Sequence, residues 1–343
     1  MKVVFLSRLF YPHIGGVEKH LFEISNILAE RGHEITIISE KSHSNVVGKQ
    51  LISSIDKSIK LFYIPISTSE TRKKWVIWWW LLKNIKLLKE ADIIHCHDVF
   101  FWYLPFRYIF PWKKIFTTFH GYESHISPSK KSILIRKLSE RLSSGNICIG
   151  AFIKKWYKTC PDYITYGGVS NTHQIKRKVR SNLSILFLGR IELDNGVREY
   201  EKLLSHLLEI GKKFNFIAIG SKEINTSFSI FGGIKTSSNI HEEIGKADIV
   251  FASSYLSIME ALSQEKMVFS IANSKLKMDY LSLTPFSKWI SISASYHELL
   301  SSFTSYLSSP NAYQEKLKNA SAWTKKHTWE SVADVYELLW KKH

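Results

Sequence analysis

Two side chains that could bind a ligand lie directly after predicted strands. His120 follows the apolar run 114–119 and precedes a glycine, and Arg190 follows the run 184–188. A guanidinium at a strand tip can form paired hydrogen bonds with a phosphate group, and a histidine there can donate a hydrogen bond or act electrostatically. Because ligands of open parallel sheets bind beyond the carboxyl ends of the strands, we expect both side chains to contact a ligand. An ordinary surface arginine is the alternative for Arg190.

A glycine pair lies between the first predicted strand and the helix that follows it. Gly15 and Gly16 would let the backbone approach a ligand closely, and the helix N-terminus behind them would attract an anion. A flexible turn is the alternative. The dinucleotide-binding fingerprint G-x-G-x-x-G is absent, which argues against an NAD-type site.

Polar residues also lead from the run 248–252 into a helix. The backbone amides of Leu256 and Ser257 could hold a phosphate at its N-terminus. Glu260, about one turn later, could accept hydrogen bonds from paired sugar hydroxyls, as acidic residues do for ribose in nucleotide-binding folds. Viewed alone, Glu260 could equally be a solvated helix residue.

The end of the third predicted strand carries two histidines and an aspartate. His95 and His97 are separated by one residue and so share one side of the strand. A metal site would need a third ligand that this spacing does not provide, so no metal ion is predicted and His95 is interpreted as structural. His97 and Asp98 lie nearer the strand end, where we expect them to face the ligand.

These residues depend on a strand–helix series that occurs twice along the chain. The strand-like runs are short and rich in β-branched or aromatic residues. They cover 2–6, 34–39, 92–96, 114–119 and 146–149 in the first half, and 184–188, 214–219, 248–252 and 267–271 in the second. Such alternation is typical of parallel sheets covered by helices on both faces. We therefore predict an α/β protein with two Rossmann-like domains.

The length of 343 residues also suits two domains. A Tyr-Gly-Gly sequence at 166–168 and a polar, basic stretch over 171–180 indicate a junction around 167–180. The predicted bounds are 1–167 for the first domain, 168–322 for the second and 323–343 for a C-terminal segment. Residues 320–342 are predicted to form one helix, whose apolar stripe contains Trp329, Val332, Val335, Leu338 and Leu339.

The composition excludes several classes of protein. Hydrophobic residues make up 45% and aromatic residues 13% of the chain, which is too much for a disordered protein. Three cysteines provide neither a disulfide framework nor zinc-ligand spacing, which favours a reducing, cytoplasmic environment. The first apolar run is too short for a signal peptide, and no apolar stretch is long enough to span a bilayer.

The net charge of +17 would attract phosphates, nucleic acid and anionic lipid headgroups alike. One basic, tryptophan-rich helix suggests a membrane. On a helical projection of 75–88, Trp75, Trp79 and Trp80 fall outside the apolar face, partly among Lys83 and Lys86. Indoles beside basic residues are typical of membrane interfaces. We expect peripheral attachment to anionic lipids at the inner face of the cell membrane. A nucleic-acid partner is not expected, because no nucleic-acid-binding motif is present.

Taken together, the motifs resemble those of the large family of retaining glycosyltransferases called family 4, which have the GT-B architecture. The matching segments extend over nearly the whole chain: residues 12–18, 91–97, 118–121, 187–190, 247–253 and 257–262. The resemblance implies two parallel sheets facing across a cleft, with a C-terminal helix that returns to the first domain. It also implies transfer of a sugar from a nucleotide-diphosphate donor to a glycan or lipid-linked acceptor, with retained configuration and without a required metal or other cofactor.

The resemblance assigns roles by position. Glu260 would hold the ribose, Arg190 the diphosphate, and His120 would act at the transferred sugar. Gly15, Gly16, Asn195, Leu256 and Ser257 would complete the donor site, and His97 and Asp98 would lie on the acceptor side.

Two positions depart from the family pattern. The family usually has an acidic residue eight positions before the one that matches Glu260, and this chain has Ala252 there, followed by a short loop. Asn195 stands where the family has a lysine. We interpret the chain as an altered but active enzyme. A catalytically silent GT-B protein that binds or scaffolds a glycan-assembly complex as one of its subunits is the alternative, and a GT-B epimerase is a weaker one.

Overall fold

The short apolar runs of the sequence pair into two separate parallel sheets. The structure, a computed structural model, describes residues 1–13, 15–41, 55–65, 70–122, 127–170, 182–221, 224–235 and 239–343. One compact unit contains Met1–Glu123, Pro128–Thr165 and Trp329–His343, and the other contains Tyr166–Thr328. The chain therefore leaves the first unit after Thr165 and returns to it at Trp329. The basic stretch 171–180 that suggested the junction lies outside the described residues.

The first unit contains a seven-stranded parallel sheet in the order β3-β2-β1-β4-β5-β6-β7. Its strands are β1 (Lys2–Ser7), β2 (Glu34–Glu40), β3 (Lys60–Ile64), β4 (Ile93–His97), β5 (Lys114–Phe119), β6 (Gly145–Ile149) and β7 (Tyr163–Thr165). Its helices are α1 (Gly16–Glu30), α2 (Glu70–Lys83), α3 (Ile85–Glu90), α4 (Phe100–Ile109), α5 (Lys130–Leu142), α6 (Ala151–Tyr157) and, at the C-terminus, α14 (Trp329–Lys342). The strand order reverses at β1, which pairs with both β2 and β4.

The second unit contains a six-stranded parallel sheet in the order β10-β9-β8-β11-β12-β13. Its strands are β8 (Leu183–Leu188), β9 (Phe214–Ile219), β10 (Ile234–Lys235), β11 (Ile249–Phe251), β12 (Met267–Ile271) and β13 (Ser291–Ser293). Its helices are α7 (Val197–Glu209), α8 (Phe228–Phe231), α9 (Ile240–Lys246), α10 (Tyr255–Ser263), α11 (Lys275–Ser282), α12 (Tyr296–Ser308) and α13 (Gln314–Thr324). Here the order reverses at β8, which pairs with both β9 and β11. Ligands of such sheets bind where the strand order reverses.

The prediction of two Rossmann-like domains with parallel sheets is confirmed, and each predicted run is a strand. The four strands that were not predicted, β3, β7, β10 and β13, lie at or next to sheet edges. Three of them contain two or three residues, which is too short for a hydrophobic pattern to appear.

The prediction of one C-terminal helix over 320–342 is wrong. Helix α13 ends at Thr324 and α14 begins at Trp329, because Thr328 forms a parallel bridge with Val169. The buried face of α14 also differs from the predicted apolar stripe. That face contains Trp329, Val332, Ala333, Tyr336, Leu339 and Trp340, whereas Leu338 is 53% exposed. Within the first unit α14 packs against α1, and Arg31 pairs with Asp334 at 2.8 Å.

The tryptophan-rich segment is also two helices. Helices α2 and α3 are interrupted at Asn84, whose side-chain amide donates to the carbonyl oxygen of Trp80 at 2.9 Å. Across the described residues, no helix is both long and apolar enough to cross a bilayer.

Candidate active site

In the second unit, the tip of β8 presents Arg190 to solvent. Gly189 has φ +141°, and a Cβ atom at Gly220 would collide with the carbonyl oxygen of Gly189. Only glycine fits at Gly220, so the ends of β8 and β9 touch through their backbones. The Arg190 side chain is 61% exposed and its Nη2 lies 2.9 Å from Glu192 Oε1. Its guanidinium therefore has access to a ligand beyond the sheet edge.

A one-turn 3₁₀ helix, Leu193–Asn195, follows that tip and buries two polar side chains. The amide of Asn195 donates to the carbonyl oxygen of Arg190 at 2.9 Å and to Glu192 Oε1 at 3.2 Å. Asp194 pairs with Lys277 of α11, with 3.0 Å between Oδ2 and Nζ. Asn195 thus lies beside Arg190, as the motif spacing suggested, and Lys277 joins the group from elsewhere in the chain.

Helix α10 begins beside the same strand tip. Its N-cap residue Ser254 has extended backbone angles, and the Ser254 hydroxyl donates to Ser257 Oγ at 3.0 Å. A Cβ atom at Gly189 would lie 3.9 Å from Ser254 Oγ and 3.8 Å from the side-chain nitrogen of Asn195. The tip of β8, the 3₁₀ turn and the start of α10 therefore converge.

The first turn of α10 offers the backbone amides that the sequence predicted. The first helical hydrogen bond runs from Ile258 N to the Ser254 carbonyl oxygen at 3.0 Å. The N–H of Tyr255 donates to the Tyr280 hydroxyl at 3.1 Å. The N–H groups of Leu256 and Ser257 lie in the first turn, where a helix provides no carbonyl partner of its own. They are therefore suited to an anionic ligand. Glu260 is half-buried one turn further along.

The structure explains why the usual carboxylate is absent at Ala252. Ala252 is fully buried, and its carbonyl oxygen accepts a hydrogen bond from Ser270 Oγ at 2.5 Å. A carboxylate there would be inside the sheet and not at its edge. Because α10 starts three residues later, at Tyr255, the chain has no room for an acidic loop before this helix.

In the first unit, the ends of β4 and β5 bring two histidines together. His97 Nδ1 lies 2.8 Å from His120 Nε2, and the rings stack with their centroids 5.0 Å apart. The backbone N–H of His120 lies 3.2 Å from both carboxylate oxygens of Asp98. Asp98 itself has φ +59°, in the left-handed region. The three residues predicted at these strand ends therefore form one cluster.

A chain of hydrogen bonds runs behind this cluster, and its direction follows from one donor. The indole of Trp340 can only donate, and it donates to His95 Nδ1 at 3.1 Å. His95 must then donate through Nε2 to Thr118 Oγ1, 2.8 Å away. Tyr336 links Thr118, at 2.9 Å, to His20 Nε2, also at 2.9 Å. The structural interpretation of His95 fits this geometry.

Burial keeps these rings neutral. It lowers the pKa of His20 to about 3, and it lowers the pKa values of His95, His97 and His120 well below the usual range. Neighbouring histidines add to the effect for the last three. A neutral His120 can donate one hydrogen bond and accept another, which suits a sugar hydroxyl and not the neutralisation of a phosphate.

The glycine pair lies at the start of α1, as predicted, but a carboxylate already occupies that place. Gly15 is the N-cap residue and Gly16 the first helical residue. A Cβ atom at Gly15 would collide with Glu18 Oε2, and Glu18 Oε1 lies 2.9 Å from His13 Nδ1. A phosphate approaching these glycines would have to displace Glu18 or tolerate its charge.

The predicted membrane residues divide into two groups. Trp75 and Trp79 are 70% and 60% exposed, and the Lys83 ammonium lies 5.3 Å from the centre of the Trp79 ring. The Lys86 side chain is 83% exposed and lies 3.6 Å from Glu90. Trp80 was wrongly placed on the surface, because it is half-buried and packs against Phe62 and the core.

Three aromatic residues of the neighbouring helix α4, Phe100, Trp102 and Tyr103, are buried in the core. Other exposed apolar residues on the helices of this unit were not singled out from the sequence. They are Tyr108, Ile109, Leu134 and Leu138. No hydrophobic periodicity marks them, since each stands beside residues that do pack inside. Within the described ranges, no group of His, Cys, Asp or Glu side chains is placed to hold a metal ion.

Residues 14–166 match the family model described as Glycosyltransferase Family 4. The match covers most of the first unit, which is therefore similar to Glycosyltransferase Family 4. A glycosyltransferase structure from Rickettsia africae ESF-5 aligns with 99% of this chain and 98% of its own, with a TM-score of 0.73 and 16% identity. A variant of TarM from S. aureus in complex with UDP aligns with 99% of this chain and 100% of its own, with a TM-score of 0.73 and 10% identity. The fold of the whole chain is thus the GT-B fold.

A human relative shares sequence over a shorter stretch. This relative is one of the subunits of phosphatidylinositol N-acetylglucosaminyltransferase from Homo sapiens, and it is 30% identical over 101 residues. These residues make up 29% of this chain and 20% of the human protein, so the match spans about a fifth of that relative's length.

Proposed function

We propose that this protein transfers a sugar from a nucleotide-diphosphate sugar to a glycan or lipid-linked acceptor, with retention of the anomeric configuration. The observation that carries the proposal is the convergence of Arg190, Asn195 and the first turn of α10 in the second unit. A guanidinium and several N–H donors meet there, where the strand order of a parallel sheet reverses. This combination suits a diphosphate better than an uncharged ligand.

The second unit would act on the leaving group. When the bond between sugar and diphosphate breaks, negative charge develops on the departing phosphate oxygen. Fixed N–H dipoles and a guanidinium at that place stabilise the charge without reorganising. Arg190 and the amides of Leu256 and Ser257 would supply this stabilisation from the protein's own groups, and Glu260 would hold the ribose. The proposed donor site requires no metal ion or other cofactor.

The first unit would act on the sugar hydroxyls. His120 would contact the transferred sugar, and its neutral ring would donate or accept one hydrogen bond, with the other ring position held by His97 at 2.8 Å. Asp98 fixes the backbone of His120. The acceptor would bind beside His97 and Asp98. A lipid-linked acceptor is favoured by the resemblance to the human phosphatidylinositol-modifying relative.

The exposed tryptophans favour a membrane surface as a further partner. We place Trp75, Trp79, Lys83 and Lys86 against anionic lipids at the cytoplasmic face of the cell membrane. Indoles at headgroup depth and nearby lysines would add apolar burial and charge attraction. Nucleic acid is not proposed as a partner.

Liposome flotation tests this surface. The double variant Trp75→Ser and Trp79→Ser should reduce binding to vesicles rich in anionic lipid at least fivefold, and binding should weaken as salt rises. Ile230→Ser, at a side chain 77% exposed in the second unit, is the matched control. Equal binding of both variants and the wild-type protein would refute the membrane assignment.

A catalytically silent binding or scaffolding protein is the second candidate, favoured by two observations. Asn195 replaces the lysine of the family pattern, and the segment before α10 leaves no place for the usual acidic residue. Donor turnover separates the candidates. UDP-, GDP- and ADP-sugars are incubated with the protein and extracted lipids, and release of the nucleoside diphosphate is measured.

We expect release of the nucleoside diphosphate together with a labelled product. Nuclear magnetic resonance should show that the product has an unchanged anomeric configuration. Inverted configuration would refute retention. Nucleotide binding without release or transfer would favour the silent protein.

A further inference from the structure

The diphosphate subsite lacks the lysine of the family pattern. A lysine from another part of the chain nevertheless lies beside it. Asn195 occupies the expected position five residues after Arg190. Helix α11 contributes Lys277, whose Nζ lies 3.4 Å from Asn195 Oδ1. The two residues are 82 positions apart in the chain, so only the fold brings them together.

The fold holds α11 against the turn that contains Asn195. Gly196 has φ +79°, and a Cβ atom there would collide with the Ile271 side chain at the end of β12. The Asn273 side chain, just before α11, donates to the carbonyl oxygen of Leu193 at 2.8 Å. The turn and the start of α11 are therefore fastened at two points on either side of Asn195.

Lys277 is held as a buried cation with a specific partner. Its side chain is 3% exposed and its Nζ lies 3.0 Å from Asp194 Oδ2. The ammonium also lies 4.9 Å from the centre of the Tyr280 ring. Burial lowers the pKa of Lys277, and the Asp194 carboxylate opposes that shift. A buried ion pair adds little net stability by comparison with an apolar pair, so stability alone does not account for the choice of residues.

The ammonium is also within electrostatic reach of the proposed phosphate ligands. Burial is the main influence on the pKa values of Lys277 and Tyr280, and the positive charge of Arg190 favours a lower pKa for both. The Tyr280 hydroxyl accepts a hydrogen bond from the first amide of α10 at 3.1 Å. A contact of 3.4 Å to a neutral amide oxygen is weak. An ammonium gains more from an anionic phosphate oxygen, because charge-assisted hydrogen bonds are about twice as strong as neutral ones.

We propose that Lys277, reaching across from α11, supplies the phosphate-binding cation that Asn195 cannot, so that Arg190 and Lys277 together hold the donor diphosphate. Asp194 positions the ammonium, and Asn195 leaves room for it. The inference rests on the proposed function of the same site. In this chain the second cation of the site would come from α11 and not from the 3₁₀ turn.

Calorimetric titration with UDP, GDP and ADP tests the inference. Removing Lys277 alone would leave the Asp194 carboxylate buried without its partner, so the variant combines Lys277→Met with Asp194→Asn. Its affinity for the diphosphate that binds the wild-type protein should fall at least tenfold, about 1.4 kcal/mol, while its affinity for the matching nucleoside stays unchanged. Lys266→Met is the matched control. Lys266 immediately precedes β12, is also buried, and donates to the carbonyl oxygen of Gly245 in α9.

Asn195→Lys provides a second measurement that does not depend on the stability of the double variant. Where Lys277 already supplies the cation, the added lysine should raise diphosphate affinity less than threefold in the wild-type protein. In the Lys277→Met and Asp194→Asn background it should restore affinity at least tenfold. Equal gains in both backgrounds, or a folded double variant with wild-type affinity, would overturn the inference and leave the proposed function intact. Failure of the wild-type protein to bind any of the three nucleotides would instead refute the proposed function.

Discussion

Acidification should destabilise the first unit through its buried histidines, and His20 allows the size of the effect to be calculated. Burial lowers its pKa from 6.5 to about 3, because the ring is fully enclosed. The folded state therefore binds fewer protons than the unfolded state over this range. The stabilising contribution is fully present above pH 6.5 and is lost as the pH falls toward 3.

The expected magnitude follows from the pKa difference. Between about pH 6.5 and pH 5.0 the unfolded state binds a proton that the folded state does not, which costs about 1.4 kcal/mol per pH unit, or roughly 2 kcal/mol in all. His95, His97 and His120 shift in the same direction, so the wild-type protein should lose more than this. Typical proteins are stable by only about 5–15 kcal/mol, so the loss is a large fraction of the total.

Urea unfolding followed by circular dichroism at pH 7.5, 6.5, 5.5 and 5.0 measures the effect. His20→Gln keeps a hydrogen-bonding group for Tyr336 but cannot take up a proton, so its stability loss between pH 7.5 and 5.0 should be about 2 kcal/mol smaller than that of the wild-type protein. His297→Gln is the control, because His297 is exposed. The reasoning fails if His20→Gln and the wild-type protein lose the same stability over this range.

Three further replacements test separate parts of the account. Glu260→Ala should weaken nucleotide affinity about tenfold in calorimetry, and an unchanged affinity would remove Glu260 from the site. Gly196→Ala should lower stability by about 2–5 kcal/mol in thermal unfolding, because φ is +79° and the new methyl group would collide with Ile271; an unchanged melting temperature would contradict this. Tyr336→Phe should cost about 1–3 kcal/mol in urea unfolding at pH 7.5, because Thr118 and His20 lose their shared partner; wild-type stability would show that this link is unimportant.

The sequence predicted the parts of the fold and site that depend on local patterns. Apolar runs such as 184–188 indicate strands, and the residue after each run must lie at the sheet edge. For this reason Arg190 and His120 could be placed at strand ends before the structure was known. The first turn of α10 was predictable on the same grounds, since polar residues lead from a strand into a helix.

Contacts between distant segments could not be predicted in this way. Lys277 meets Asp194 across 83 positions, and its local sequence shows only a lysine near the start of a helix. Tyr336 and Trp340 support the histidine cluster from the C-terminal helix, but the expected apolar stripe had a different phase. The break before this helix coincides with a bridge between Thr328 and the distant Val169, which no local pattern indicates.

Helix projections failed where neighbouring strands covered a residue. Trp80 falls outside the main apolar face of its helix, yet β3 supplies Phe62 to pack against it. Strand β3 itself was not predicted, so its contact with the helix could not be anticipated. Trp75 and Trp79 were placed correctly, since both side chains are largely exposed.

Nucleotide binding by the wild-type protein and by Arg190→Gln is the most direct test of the central claim. The account predicts that one of UDP, GDP and ADP binds the wild-type protein in calorimetry. It also predicts that Arg190→Gln binds that nucleotide about 10- to 100-fold more weakly, as expected for the loss of a charge-assisted contact of about 1.5–3 kcal/mol. Absence of binding by the wild-type protein, or equal affinity of the two proteins, would contradict the assignment of the diphosphate to the tip of β8.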